Sequence, residues 1–498
     1  MNVNPITRLD YPDPDVIRVE DTYYMVSTTM HFMPGCEILQ SFDLVHWEHV
    51  TYVYETLDHT DAQQLKSGQN IYGQGMWAAS LRYHEGRFYI CFVANDTRKT
   101  YLYTSEKIDG PWKKQLIEGF YHDGSLLFDE DGRSYIVYGN DEIWITELNE
   151  DLTAPKKDGL HRLLVSDHKN PELGYEGSHI QKINGYYYIF LVHSLRDRWM
   201  RTEACFYSDS LEGEFTGGDV LCDDRGYCGQ GVAQGGIVDT PDGKWYAMLF
   251  QDSGAVGRIP ILLPVTWKDH FPFFGQNGHV PKEIEVHSTR PGYIYQPLVG
   301  SDDFCNGLLP RWQFNHDPDP RYYHLDALQG TYTITTREVC TELTQAVNTL
   351  TQRMSYPSCA AEVTVDASAL KEGDVAGLCA LQGCYAAVGI TKHHGKYEVL
   401  MLDKKEDGIL DMTEGTVVES HQMDFRLEAD FCNMKDEARC YYRVNKGDWL
   451  PIGTVHKLYF KLDHFTGCRF GLFCYAAEET GGSACFRDFK YYDVDEIS

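Results

Sequence analysis

Three carboxylates in this chain occupy a shared setting. Asp13 stands in Pro12-Asp13-Pro14, Asp123 in Asp123-Gly124-Ser125-Leu126-Leu127, and Glu176 in Glu176-Gly177-Ser178-His179. Each precedes, by eleven or twelve residues, a tyrosine in an aromatic run: Tyr24, Tyr135 and Tyr188. Two more copies of the run, around Tyr89 and Tyr246, put Trp77 and Gln234 at the same count. Packing does not ask for such residues, because interior positions at one register are normally small or apolar. Carboxylates gathered around one cavity repel each other and shift each other's pKa values, a cost in stability that points to use. Hydrolysis of a glycosidic bond needs this set. One protonated carboxyl donates to the leaving oxygen, a second activates water or attacks carbon, and a third holds the sugar or tunes the acid.

The elements that must position these groups form a repeat. Its copies read EDTYYMVSTT from Glu20, EGRFYICFVA from Glu85, DGRSYIVYGN from Asp131, NGYYYIFLVH from Asn184 and DGKWYAMLFQ from Asp242. An acidic residue or Asn followed by Gly is a strong hairpin signal, and the aromatics that follow suit a pleated, half-buried surface. Each copy follows another apolar strand, and the spacing of roughly 46 to 65 residues fits four-stranded blades with added loops. The expectation is an all-β chain that opens with a five-bladed β-propeller. The first strand of each blade would line the channel and aim the five residues at one axis. A double-sheet sandwich is the main competitor, but it would not repeat so regularly.

These motifs resemble glycoside hydrolase family 43, in its β-xylosidase and α-L-arabinofuranosidase branch, over nearly the whole chain. The N-terminal signature appears as NPITRLDYPDPDVIRVEDTYYMVST. The resemblance implies that Asp13 is the general base, Glu176 the general acid, and Asp123 the residue that orients the acid and raises its pKa. It also implies an inverting mechanism with base and acid roughly 6.5–9.5 Å apart. Trp77, in GQGMWAASLRYHEGRFY, matches a segment expected to stack on the sugar, and Arg258, in GRIPILLPVTW, matches an arginine that reaches sugar hydroxyls. Phe32 and Gln234 complete the substrate-binding candidates. The implied reaction releases a terminal β-1,4-linked xylose, or α-L-arabinofuranose, from xylo-oligosaccharides or arabinoxylan fragments. No cofactor is implied. Where many relatives carry a channel histidine, this chain reads Gly231-Val232-Ala233-Gln234-Gly235-Gly236, which argues against a histidine-held calcium. The competing readings are a retaining fructan-type hydrolase and a non-catalytic carbohydrate-binding propeller. The first expects an Asn-Asp-Pro start and a Glu-Cys acid motif, and the second has no need of all three carboxylates.

The text changes after Arg290. RPGYIYQPLVGSDDF reads as a linker, and from about Asp302 short alternating runs such as TYTITTR, AAEVTVDAS and RFGLFCYAA predict a β-sandwich. This places a catalytic propeller at 1–295 and an accessory sandwich at 296–498. The second half resembles the concanavalin-like domain of the β-xylosidase branch. That resemblance implies a loop reaching over the propeller mouth, and a structural calcium near Asp303 and Asp488. His31, His122 and His179 adjoin the motifs but are expected to be structural. Asp317-Pro318-Asp319-Pro320 and Lys404-Lys405-Glu406-Asp407 are expected to be solvated loops.

With 498 residues, two domains are the natural expectation. The net charge of −30 disfavours nucleic acid and anionic membrane as partners and suits a neutral ligand. Fifteen scattered cysteines without a C-x-x-C pair fit reduced thiols, and the N-terminus has no apolar signal-like run. Both point to a cytoplasmic protein. No segment is long and apolar enough to span a bilayer, and a homo-oligomer is compatible with the sequence.

Overall fold

A computed structural model describes residues 2–493. Five four-stranded antiparallel sheets follow one another from Asp15 to Phe274. Their innermost strands are Asp15–Val19, Met76–His84, Ser125–Phe128, Glu176–Ile183 and Val232–Asp239. Each pairs with the aromatic strand that follows it, so the repeated tyrosines sit opposite Ile17, Arg82, Leu127, Gln181 and Val238. The predicted turn chemistry is present in two forms. Glu85-Gly86 and Asn184-Gly185 are tight turns with positive φ at both residues, whereas Asp131-Gly132 and Asp242-Gly243 sit in longer loops where only the glycine is left-handed. The ring is closed by Asn2–Val3 pairing with Glu283–Ile284 and by Asn4, whose side chain donates to the carbonyls of Leu262 and Pro281 at 2.7 and 3.0 Å.

The count of twelve conceals a one-residue offset. Asp13, Asp123 and Gln234 each lie four positions before the residue opposite the repeated tyrosine, whereas Trp77 and Glu176 lie five before it. The offset follows the hairpins: Tyr89 and Tyr188 pair seven residues back across two-residue turns, whereas Tyr135 and Tyr246 pair eight residues back across longer loops. β-Bulges also interrupt the inner strands between Met76 and Ala79, Glu176 and His179, and Ala233 and Gly236. A bulge re-aims the side chains around it. Asp13, Asp123 and Gln234 take left-handed backbone with φ of 52°, 48° and 63°, and Gly177 takes the equivalent place in blade four with φ 66°.

Below this level the axis is filled. Arg82 pairs with Asp15 at 2.8 Å and donates to Ser125 Oγ at 2.7 Å and the Leu126 carbonyl at 2.8 Å; His179 Nδ1 lies 3.1 Å from the other oxygen of Asp15. Positive charge at this depth of the channel is therefore supplied by an arginine.

The second unit packs a nine-stranded sheet on a seven-stranded one. Its large sheet is extended by the propeller: Phe32–Met33 pairs with Gln313–Asn315. Ala255, Val256 and Ile259 of the propeller belong to the sandwich core. Between Phe274 and Gln313 the chain runs back along blade one, where Tyr295 Oη accepts from the Phe42 amide at 2.9 Å. The expectation of solvated loops fails at Asp317, which is 2% exposed and lies 2.7 Å from His59 Nδ1 across the junction. All fifteen cysteines are free thiols. Among the described residues no helix is long and apolar enough to cross a membrane.

Candidate active site

At the mouth of the channel the inner strands converge on a cavity of about 200 Å³. Asp13, Asp123, Glu176, Trp77, Gln234 and Arg258 all line it. The sequence had pointed to each of them.

Asp13 is 3% exposed and tightly held. Thr28 Oγ1 donates to its Oδ2 at 2.5 Å, and Arg258 Nη1 lies 2.7 Å from its Oδ1. Arg258 also donates through Nε to Asp252 at 3.1 Å and is covered by the Phe465 ring at 3.6 Å. Burial works against its charge, but Asp13 and Asp252 outweigh it and push the arginine pKa up.

The opposite wall carries a second cluster. Asp123 accepts the Gly177 amide at 2.9 Å. A side chain at position 177 would meet Gln234 Cγ at 2.6 Å and would have to adopt φ 66°, so the Glu-Gly pair of the motif is a steric requirement. Glu176 accepts from Asn140 Nδ2 at 2.8 Å. His122 Nε2 lies between the two acids, 3.5 Å from Glu176 and 3.6 Å from Asp123. Burial drives Asp123 up to about 6, with Glu176 and Asp13 adding to the rise. Burial would lower His122, yet Asp123 and Glu176 carry it up to about 9. Burial also opposes the charge on Glu176, but His122 holds its carboxyl below the usual range.

Two expectations change here. His122, expected to be structural, lies inside the carboxylate cluster, against both acids. Its charge, not that of Asp123, dominates the field at Glu176, so Glu176 is lowered where a raised value was expected. The ligand-type atoms of His122, Asp123 and Glu176 lie within 4.8 Å of one another, the one such set among the described residues. The histidine offsets part of the negative charge of the two carboxylates. No comparable set forms around Asp303 and Asp488; Asp303 instead accepts the Cys305 amide in its own turn at 3.0 Å.

Trp77 sits in the blade-two bulge, edge-on to Phe465 with ring centroids 5.2 Å apart. Gln234 is fixed through its backbone N–H, which donates to a buried carboxyl oxygen of Glu203 at 2.7 Å. Burial keeps Glu203 protonated well above its ordinary range. Phe32 is not part of the cavity wall. Its strand is paired to the sandwich at Asn315, and Arg469 lies 3.4 Å above its ring, so the side chain serves the junction between the two units.

Sequence reasoning missed Arg201, Asp252, Trp199, Leu462 and Phe465. Arg201, Trp199, Leu462 and Phe465 line the cavity, and Asp252 joins the two arginines. Leu462 and Phe465 come from the sandwich, as the expected loop over the mouth.

A five-bladed propeller with buried Asp13 and Asp123 and half-buried Glu176 facing one cavity has the carboxylate set that glycosidic hydrolysis needs. Residues 3–272 match the model of Glycosyl hydrolases family 43, and residues 301–492 match the Beta xylosidase C-terminal Concanavalin A-like domain. The chain belongs to glycosyl hydrolase family 43 and is a glycosidase. It is 26% identical over 554 residues to a β-xylosidase of Formosa agariphila, covering 99% of this chain and 89% of that one. It is 23% identical over 541 residues to a xylosidase/arabinosidase of Butyrivibrio fibrisolvens, covering 99% of both. A solved structure described as a bifunctional GH43-CE protein of Bacteroides eggerthii superposes with a TM-score of 0.92 at 42% identity; it matches 99% of this chain, which spans 64% of that protein's length.

Proposed function

We propose that this glycosidase removes a single pentose from the non-reducing end of an oligosaccharide with inversion at the anomeric carbon. The sugar is β-1,4-linked xylose, with α-L-arabinofuranose as a second substrate. The reading is carried by one observation: the three carboxylates face a single cavity of about 200 Å³. That is below the roughly 300–1,000 Å³ of pockets for drug-sized ligands and suits one sugar ring. Arg82 crosses the channel deeper in, bound to Asp15 and Ser125, and Leu462 and Phe465 line the cavity from the sandwich. The relatives named xylosidase and arabinosidase support the choice of pentose.

In this reading Asp13, fixed by Arg258 and Thr28, takes a proton from the attacking water. Glu176 gives a proton to the departing oxygen. Asp123 holds the Gly177 amide and thereby the backbone beside Glu176. At neutral pH the cluster's proton rests on His122, so a seated substrate must draw it onto Glu176 as water leaves the cavity. Each turnover consumes one water and leaves two hydroxyl products, with no cofactor in the balance.

The test is NMR of the first sugar released from a nitrophenyl β-xyloside, together with initial rates on the nitrophenyl β-xyloside and α-L-arabinofuranoside. The expected first product is the α anomer of xylose. Release of the β anomer would overturn inversion, and cleavage of hexosides alone would overturn the pentose assignment.

A further inference from the structure

Arg201 begins the third strand of blade four, Arg201–Ser208, and is 2% exposed on the cavity wall. Its Nε donates to Asp252 Oδ2 at 3.0 Å, while Asp252 Oδ1 accepts Nε of Arg258 at 3.1 Å. One buried carboxylate thus fixes two guanidinium groups. The two differ in what remains. Arg258 commits Nη1 to Asp13. Nη1 of Arg201 is buried with no hydrogen-bond partner. The rings of Trp199 and Phe250, 5.2 and 5.3 Å from the Arg201 guanidinium carbon, confine the group and offer it no acceptor in the plane of its N–H bonds. Leaving a charged donor buried and unmatched is costly, so the Arg201 guanidinium calls for one more acceptor than the protein supplies.

We propose that Arg201 is a substrate-binding residue whose guanidinium, short of one acceptor, donates to a hydroxyl oxygen of the terminal sugar, and that it selects a neutral glycone. This rests on the reading of the cavity as a glycosidase site. The neutral choice follows from the surrounding charge. Asp13, Asp123, Glu172 and Glu176 share the cavity wall with Arg201. A sugar carboxylate reaching Arg201 would face those groups, whereas a hydroxyl can accept from the arginine and donate to a carboxylate at once. Asp252 holds the guanidinium plane in advance, so the contact needs little reorganisation on binding.

The experiment is a cycle between Arg201→Met and the monodeoxy forms of the nitrophenyl pentoside that the wild-type protein cleaves. The variant should lose about 10- to 100-fold in kcat/KM. At least one monodeoxy substrate that is slow with wild type should be no slower than its parent with the variant. If every hydroxyl keeps its full contribution in the variant, Arg201 acts only through Asp252 and Arg258, and the inference fails. It also fails if the variant stays within about twofold of wild type, or if wild type prefers a uronide to the pentoside. Should Arg201→Met not fold, Arg201→Lys supports the same cycle, because it keeps the charge and loses the fixed edge. Wild-type protein inert on both pentosides would remove the reading of the site itself, a result separable from failure of the variant cycle.

Discussion

Oδ1 of Asp13 lies 2.7 Å from Nη1 of Arg258, with both side chains almost fully buried. The arginine spans Asp13 and Asp252, and Phe465 lies over its face. Replacing Arg258 with Met would leave Asp13 without its cation inside the protein and Asp252 with Arg201 alone. Breaking such a pair costs about 3–5 kcal/mol. Arg258→Met should therefore show a lower denaturant midpoint together with a fall of at least about 100-fold in kcat/KM. Retention of both values would mean that the pair neither holds the base nor supports the fold.

Glu176 is assigned the proton for the leaving oxygen, and that role can be isolated by changing the leaving group. Glu176→Ala should reduce kcat on a xylose disaccharide by about 10²–10⁴-fold. The loss should be far smaller on a dinitrophenyl glycoside, whose departing oxygen needs no proton. Equal losses on the two substrates would take Glu176 out of the acid role.

His122 supplies a pH signature. Its folded pKa of about 9 lies above the ordinary 6.5, because Asp123 and Glu176 outweigh the effect of burial. Its stabilising contribution is thus complete below pH 6.5 and is lost as pH rises through about 9. That contribution is on the order of 3 kcal/mol. Urea midpoints of wild type should fall between pH 6.5 and 9, and His122→Asn should flatten that fall. The alkaline limb of wild-type activity should lie near 9 and should move in the variant. Superimposable profiles for the two proteins would show that His122 neither pairs with the acids nor holds their proton.

Most of this site was legible because the repeat carries it. Asp13, Asp123 and Gln234 share a register that the strand pairing reproduces, and the turn residues before each tyrosine announce the blades. What was not legible depends on contacts across blades or across units. Arg201 and Asp252 sit on outer strands, where no register singles them out, and they meet only when blades four and five pack together. His122 reads as an ordinary neighbour of Asp123 until folding brings Glu176 within 3.5 Å of it. Phe32 misled for the opposite reason. It is close in sequence to the Asp13 motif, but strand pairing with Asn315 takes it into the junction.

The sandwich is predicted to act on the chemistry through Phe465. This ring lies 3.6 Å from the Arg258 guanidinium and edge-on to Trp77, so it closes the cavity over the group that fixes Asp13. Its loop is tied to the propeller two residues later, where the Gly467 amide donates to Asp10 Oδ2 at 2.8 Å. The other oxygen of Asp10 accepts the Arg258 amide at 2.7 Å. Asp10 thus positions the loop and the arginine together, and a side chain at 467 would strike the Val256 carbonyl at 2.0 Å. Phe465→Ala should leave this backbone link intact and lower kcat/KM by about 10- to 100-fold, since a cation–π contact and an aromatic wall are lost while water enters. Gly467→Ala should instead displace the loop, lowering both activity and the melting temperature. If Phe465→Ala is as active as wild type while Gly467→Ala is not, the sandwich contributes to the fold of the mouth but not to the field around the base.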